Sequence, residues 1–347
     1  MERNLYLDNM KFILILLVVL GHFANLNRLI PIFGIVNNII YSFHMPLFIF
    51  VSGYLSKKIL AHRRKEIDQV LYTYFVFEIL NLAFTKITSI GHGDYNVFVP
   101  TDQNWYLLGI FFWRLFLPYY YNFKKTTSFI ATVIIALSIG FYDQFNTFLG
   151  LYRIIYFMPF FVLGGICNDI NYFRYRYSRF RYMFLTLLFA SFLIIAIISL
   201  YSTELNKAIA YAFTPFKGYS SPSIKEELLR FSLRSIGFII SLIISFCFLF
   251  IVPNKKTFYT HLGKHTLNVY LLHMFFVFLV NWIFEANNIT IFTMFITSIF
   301  TSILITVLLS SDLVNKMMLP LTNCNKMISL FKRSWFGASG LGLTHER

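Results

Sequence analysis

An all-α, polytopic membrane fold follows from three observations on this 347-residue chain. Hydrophobic residues make up 57% of it and charged residues only 13%, about half the charged share of a soluble domain. Aromatic residues reach 20%, with 43 Phe and 22 Tyr, a content that excludes disorder, collagen and coiled coil. Residues 29–56 hold no Asp, Glu, Lys or Arg, and a helix needs only about 20 such residues to cross a bilayer.

About ten spans read off in order, near residues 11–30, 34–56, 67–88, 104–120, 127–145, 150–168, 182–201, 232–252, 266–284 and 288–310. The first starts at Lys11, just after Asp8. The second is free of charge but carries Pro46. Proline frees a backbone carbonyl one turn earlier, and such breaks persist in membranes where they border protein or a water-filled cavity. The third encloses Glu78 and Lys86, the fourth is short and holds Arg114, and the sixth carries Arg153 near its start. The eighth holds Arg234, while the seventh, ninth and tenth have no acidic residue, Lys or Arg.

The alternate loops give an orientation. Lys57, Lys58, Arg63, Arg64 and Lys65 follow span two, Lys124 and Lys125 follow span four, Arg174, Arg176, Arg179 and Arg181 follow span six, and Lys255, Lys256 and Lys264 follow span eight. Short cytoplasmic loops retain Lys and Arg, so this face is expected to be cytoplasmic, with both termini on it. The same bias accounts for the formal charge of +15 and leaves nucleic-acid binding disfavoured. No small-residue cleavage site follows the first apolar run, so a cleavable signal peptide is not expected. Cys167, Cys247 and Cys324 show neither CxxC nor metal spacing and read as small core residues.

Two outer segments are polar. Residues 202–231 mix Lys207, Lys217, Lys225 and Arg230 with Glu204, Glu226 and Glu227. Pro215, Gly218, Pro222 and several serines there predict irregular structure, placed to cover or line an external cavity. The loop Gly91–Asn104 holds His92, Asp94 and Asp102. Residues 1–311 read as one transmembrane domain and 312–347 as a basic cytoplasmic tail.

An ionisable group inside a bilayer is a functional candidate by default. Lys11 and His22 are eleven residues apart, so on a helix they share a face about 16 Å apart along the axis. Histidine is the side chain best suited to take and return a proton near neutral pH; the plainer reading of His22 is a histidine satisfied by a neighbouring helix. His44 sits beside the Pro46 break and strengthens the cavity reading. Two histidines also suggest a metal, yet no third ligand stands at a recognisable spacing, and no metal is expected.

These residues carry a family resemblance. Tyr6-Leu7-Asp8 to Lys11 to His22, the block Phe43-His44-Met45-Pro46-Leu47-Phe48 with Ser52-Gly53-Tyr54, and the run Gly263 to His273 resemble the acyltransferase-3 family, most closely its fucose 4-O-acetylase-like branch. Trp105-Tyr106-Leu107-Leu108 with Trp113-Arg114, and Arg153 to Phe157-Met158-Pro159-Phe160-Phe161 with Gly164, resemble that branch's middle helices. The resemblance implies transfer of an acyl group, usually acetyl from cytoplasmic acetyl-CoA, to a hydroxyl of a surface glycan or its lipid-linked precursor. It makes His22 catalytic and assigns donor binding to Lys11 and to the Arg63-Arg64-Lys65 stretch. The family's paired-arginine motif reads Lys65-Glu66-Ile67-Asp68 here. Either Arg63 and Arg64 substitute after a small register shift, or donor handling differs.

Such a reaction needs a base for the hydroxyl proton, a cation or donor for the oxyanion, and a grip on a polyanionic donor. His22 supplies the base, Arg153 or Arg114 the oxyanion partner, and His44 lines the same cavity. Glu78, Trp105 and Arg114 are expected on the acceptor side. The plainer readings are topology determinants for Arg63 and Arg64, an interhelical polar pair for Glu78, snorkelling for Arg114 and Arg153, and a structural contact with Tyr270 for His273. The expected protein is a multi-pass O-acetyltransferase of a bacterial cytoplasmic membrane, its partners being membrane lipid and a glycan or lipid-linked sugar. The rival is a non-enzymatic carrier for the same sugar, disfavoured because no inverted repeat or paired broken helices are visible.

Overall fold

The computed structural model describes residues 4–57, 63–90, 98–101, 103–142, 148–170, 178–287 and 289–329. Lys58, His92, Asp94, Asp102, Arg174, Arg176 and the side chain of Arg63 lie outside the described residues. The described residues are helical, with no strand. In chain order the helices are α1 (Leu5–Leu26), α2 (Pro31–Tyr41), α3 (His44–Ser56), α4 (Arg63–Thr88), α5 (Trp105–Asn122), α6 (Lys125–Ser138) and α7 (Leu151–Ile166). They continue as α8 (Arg181–Tyr201), α9 (Thr203–Phe213), α10 (Ile224–Phe248), α11 (Thr266–Ala286), α12 (Ile291–Leu309) and α13 (Asp312–Thr322).

Among the described residues, eight stretches are long and apolar enough to cross a membrane, with α2 and α3 counted together. The expected fourth and fifth spans fall below that measure. Helix α5 carries Trp, Tyr and Arg114 along its length, and α6 is only 14 residues long. Both nevertheless pack in the bundle against α7.

Helix α1 is the hub. Asn4 caps it by accepting from the Leu7 amide at 3.2 Å. It packs on α2, α3, α11 and α12, and 67% of its most apolar window is buried, against 17% for α8. Helix α8 therefore turns most of its surface to lipid. At the Lys11 end, Asn9 is fully buried. Its amide donates to the carbonyls of Pro253 and Lys255, both at 2.9 Å, and accepts from Thr257 and Thr260 at 3.1 and 2.7 Å. A short turn, Leu262–Lys264, closes on the same helix end.

The break expected at Pro46 divides the second span between α2 and α3, at Ser42 and Phe43. The freed polar groups find local partners. Ser42 Oγ donates to the Ile39 carbonyl at 2.7 Å, and the Ile40 carbonyl meets His44 Nδ1 at 2.7 Å. Below the break, α3 crosses α7 at backbone contact. A methyl on Gly53 would meet the carbonyl of Phe161, and one on Gly164 the carbonyl of Phe50. Small residues at such a crossing let membrane helices approach closely.

The polar segment 202–231 is more ordered than its composition predicts. Only residues 214–223 are irregular, between α9 and the start of α10. The start signal for α9 is Ser202, whose hydroxyl accepts from the Leu205 amide at 3.1 Å, followed by a Glu204–Lys207 pair at 2.8 Å. That cap outweighs the polar composition. The expected basic tail also begins with a helix, α13, which docks on α4 where Tyr72 donates to the Pro320 carbonyl at 3.0 Å. Cys167 and Cys247 are buried as expected, whereas Cys324 is exposed, because it follows α13 outside the bundle.

Candidate active site

A cavity of about 690 Å³ lies at the C-terminal end of α1, the end opposite Lys11. Its walls bring together His22, Tyr41, His44, Trp105, Arg153 and Phe216 from six different segments. Four of the nine site residues named from the sequence, His22, His44, Trp105 and Arg153, thus meet in one place.

His22 stands near the end of α1 and reaches the cavity between that helix and α11. Behind it lies His273 of α11, with the two ring centroids 5.0 Å apart and the planes 51° apart. His273 is fully buried, and its Nδ1 sits 2.9 Å from the carbonyls of both Val269 and Tyr270. The Tyr270 ring is farther from His273, at 6.2 Å. The expected Tyr–His contact is therefore secondary to a histidine pair. His273, His44 and Arg153 are all near enough to act electrostatically on His22.

His44 is the first residue of α3, so the helix break aims it. Its ring stands edge-on to Tyr41 at 4.7 Å, and its Nδ1 is tied to the Ile40 carbonyl. Arg153 enters from the first turn of α7. Two left-handed residues before it, Leu149 (φ 51°) and Gly150 (φ 64°), turn the chain sharply into the helix. A side chain at Gly150 would press on Trp105 Cβ at 3.1 Å. The Arg153 guanidinium lies over Trp105 at 5.5 Å and Phe216 at 4.6 Å, so both aromatic faces hold the cation. Trp105 itself stacks on Phe157 at 5.5 Å.

Phe216 belongs to a strap, residues 213–216, that forms one side of the cavity, as the sequence anticipates for this polar segment. The strap is tethered just beyond. Tyr211 Oη donates to the Gly218 carbonyl at 2.8 Å, and Nη2 of the fully buried Arg234 donates to the Lys217 carbonyl at 3.3 Å. The Arg234 guanidinium stands 4.3 Å over the Tyr211 ring.

The remaining predicted residues lie elsewhere. Glu78 does not line the cavity; its carboxylate accepts from the Thr101 amide at 2.9 Å and so anchors the loop that does. Arg114 is turned away, with Nε 3.3 Å from Ser56 Oγ and Nη1 3.9 Å from Glu66. Lys11 pairs with Asp8 at 3.0 Å. Arg64 is exposed in the first turn of α4. Sequence reading passed over Asn25 and Asn81 in the wall. Each stands three residues after a flagged one, His22 and Glu78, so helical spacing was the available signal. Nothing in the sequence marks Phe216. Among the described residues no three His, Cys, Asp or Glu side chains gather as metal ligands would.

The cavity of this helical bundle thus holds imidazoles and a guanidinium in one wall, the kinds of group that proton movement beside a developing negative charge requires. The family described as an acyltransferase domain matches residues 4–311, and the chain belongs to it. It is accordingly a membrane acyltransferase, and the match sides with the enzyme over the carrier. No curated protein and no solved structure matches the chain.

Proposed function

We propose that this acyltransferase moves an acetyl group from acetyl-CoA to a hydroxyl of a cell-surface polysaccharide or its lipid-linked precursor, in a bacterial cytoplasmic membrane. In this reading the chain falls in the fucose 4-O-acetylase-like branch of its family. The observation that carries it is the convergence of His22, His44 and Arg153 on one aromatic-walled cavity at the end of the bundle away from Lys11. Tyr41 and Phe216, both only partly buried, offer aromatic surface against which a sugar ring can pack, and Asn25 and Asn81 the amides that bind hydroxyls. At the other end of α1, Lys11 and the exposed Arg64 provide cations for the phosphates of the donor.

In this reaction His22 takes the proton of the acceptor hydroxyl as its oxygen attacks the thioester carbonyl. The Arg153 guanidinium, held by Trp105 and Phe216, faces the negative charge that forms on the carbonyl oxygen. Collapse expels the CoA thiolate, which receives the proton from His22. His44 sets the polarity of the wall beside the reacting atoms.

The test is glycan O-acetyl content measured by NMR in cells lacking the protein and in cells complemented with wild type or His22→Ala, with expression of each form verified. Acetyl signals that vanish with the gene and return only with wild type support the proposal. Full restoration by His22→Ala overturns the catalytic assignment, and unchanged acetylation in the deletion overturns the substrate.

A further inference from the structure

We propose that the polar cluster around Arg234, behind the strap that walls the cavity, binds a small monovalent inorganic anion, chloride being the ion of fitting size and charge. The site lies outside the cavity, and its existence does not depend on the acyl-transfer reading. Arg234 of α10 is fully buried, as are Tyr152 of α7 and Tyr219 just beyond the strap. The Arg234 guanidinium stands 4.3 Å over the Tyr211 ring and 5.5 Å over the Tyr156 ring.

Buried charges are paired, because an ion taken out of water loses solvation that neutral neighbours restore only in part. Among the described residues no Asp or Glu forms an ion pair with Arg234. The two tyrosine faces attract the cation but carry no net charge. The hydrogen bonds point the same way. An N–H at Nη2 goes to the Lys217 carbonyl at 3.3 Å. Nε and Nη1 close no hydrogen bond, and neither do the hydroxyls of Tyr152 and Tyr219. The Tyr152 oxygen stands beside both Arg234 and Tyr219. Were it to accept from the guanidinium and donate to Tyr219, the last O–H of the chain would still lack an acceptor and the positive charge a partner. Tyr211, also beside the guanidinium, spends its hydrogen on the Gly218 carbonyl at 2.8 Å.

A surplus of buried donors around one cation, with no acceptor to spare, selects the ligand. It has to be negative and to accept without donating, which sets aside protonated oxyanions such as bicarbonate or the phosphate monoanion. A dianion exceeds the charge of a lone guanidinium. Arg234, Tyr152 and Tyr219 have no exposed surface, so the ion has to be small. Chloride meets each condition. The place gives such an ion a structural effect. The Tyr219 amide donates to the Gly140 carbonyl at 2.6 Å, just after α6, and its ring packs edge-on to Phe141 at 4.9 Å. An anion shared by Arg234, Tyr152 and Tyr219 therefore ties α7, α10 and the chain just after Phe216 into one unit.

The test is equilibrium binding of radiolabelled chloride to full-length protein in detergent, prepared in sodium gluconate, whose anion is too large for the site. Thermal unfolding in sodium chloride, bromide or gluconate at equal ionic strength runs beside it. Wild type should bind chloride saturably at a single site per chain, and its Tm should be higher in chloride and bromide than in gluconate. Arg234→Met should abolish the binding. Tyr152→Phe and Tyr219→Phe each remove a hydroxyl, leave the ring in place, and should weaken chloride binding by about tenfold; they carry the test if Arg234→Met does not fold. A folded wild type that shows no saturable chloride binding, with its Tm set by ionic strength alone, overturns the proposal and leaves the cluster to ordered water. Chloride binding that both tyrosine variants retain at full affinity places the ion elsewhere and overturns it as well.

Discussion

Replacing Gly164 by Ala should destabilise the protein, although alanine is the better helix former. An added Cβ at Gly164 would overlap the Phe50 carbonyl oxygen and lie 2.9 Å from the Tyr54 amide nitrogen. Carbon and backbone atoms at rest keep about 3.5 Å, so α3 and α7 would have to part by about 1.5 Å along this contact. Overpacking of this kind costs about 1–3 kcal/mol, against a propensity gain of about 1 kcal/mol for Gly→Ala in a helix. The atoms in the way are main chain and cannot swing aside, so the upper part of that range applies. A net loss of about 1–2 kcal/mol corresponds to a fall in Tm of about 2–6 °C. The neighbour supplies the control: a Cβ on Gly165 meets only Leu117 Cδ1 and the Tyr121 hydroxyl, both at an ordinary 3.6 Å. Gly165→Ala should therefore be neutral or slightly stabilising. Both variants can be ranked by thermal unfolding in detergent, with acyltransferase activity read on the same samples. Activity should fall for Gly164→Ala, because α3 and α7 carry His44 and Arg153. A Gly164→Ala protein as stable as Gly165→Ala would refute the close crossing.

Further outcomes are expected. His22→Gln should lower acyl transfer by about 10²–10⁴-fold without changing Tm, read by turnover of labelled acetyl-CoA. Arg153→Lys keeps the charge but loses the planar stack on Trp105 and Phe216; transfer should fall about tenfold or more, and equal activity would remove the stack from the mechanism. Asn9→Ala removes the donor to two carbonyls and the acceptor shared by two threonine hydroxyls at a buried site and should cost about 1–3 kcal/mol, seen as a lowered Tm. A membrane-impermeant maleimide should label Cys324 and spare Cys247 and Cys167, and only from the face that carries the C-terminus.

The sequence by itself determined the class and much of the local structure. Long charge-free runs have to be helices in lipid, because the backbone must satisfy its own polar groups there. Pro46 marked the break between α2 and α3 for the same reason in reverse, since it removes a donor that the helix needs. His22, His44 and Arg153 were legible because ionisable groups are rare and costly at such depths. Glu78 and Arg114 were flagged by the same rule, yet one braces a loop and the other pairs with Ser56 and Glu66. Cost signals that a polar group has a reason to be there; it does not say which partner supplies the reason.

Only the tertiary structure decided which of these groups share a site. His22 and His273 are 251 residues apart in the chain and 5.0 Å apart between rings, a relation that helical period and composition do not encode. Phe216 became part of the site because Tyr211 and Arg234 tether the chain beside it, and Gly53 and Gly164 matter because two backbones meet there. Periodicity is a property of one helix, whereas a cavity exists only where several helices fail to fill the space between them. Its lining is set by crossing distances and by the direction each side chain takes from its own helix, and both are fixed only when the bundle has packed.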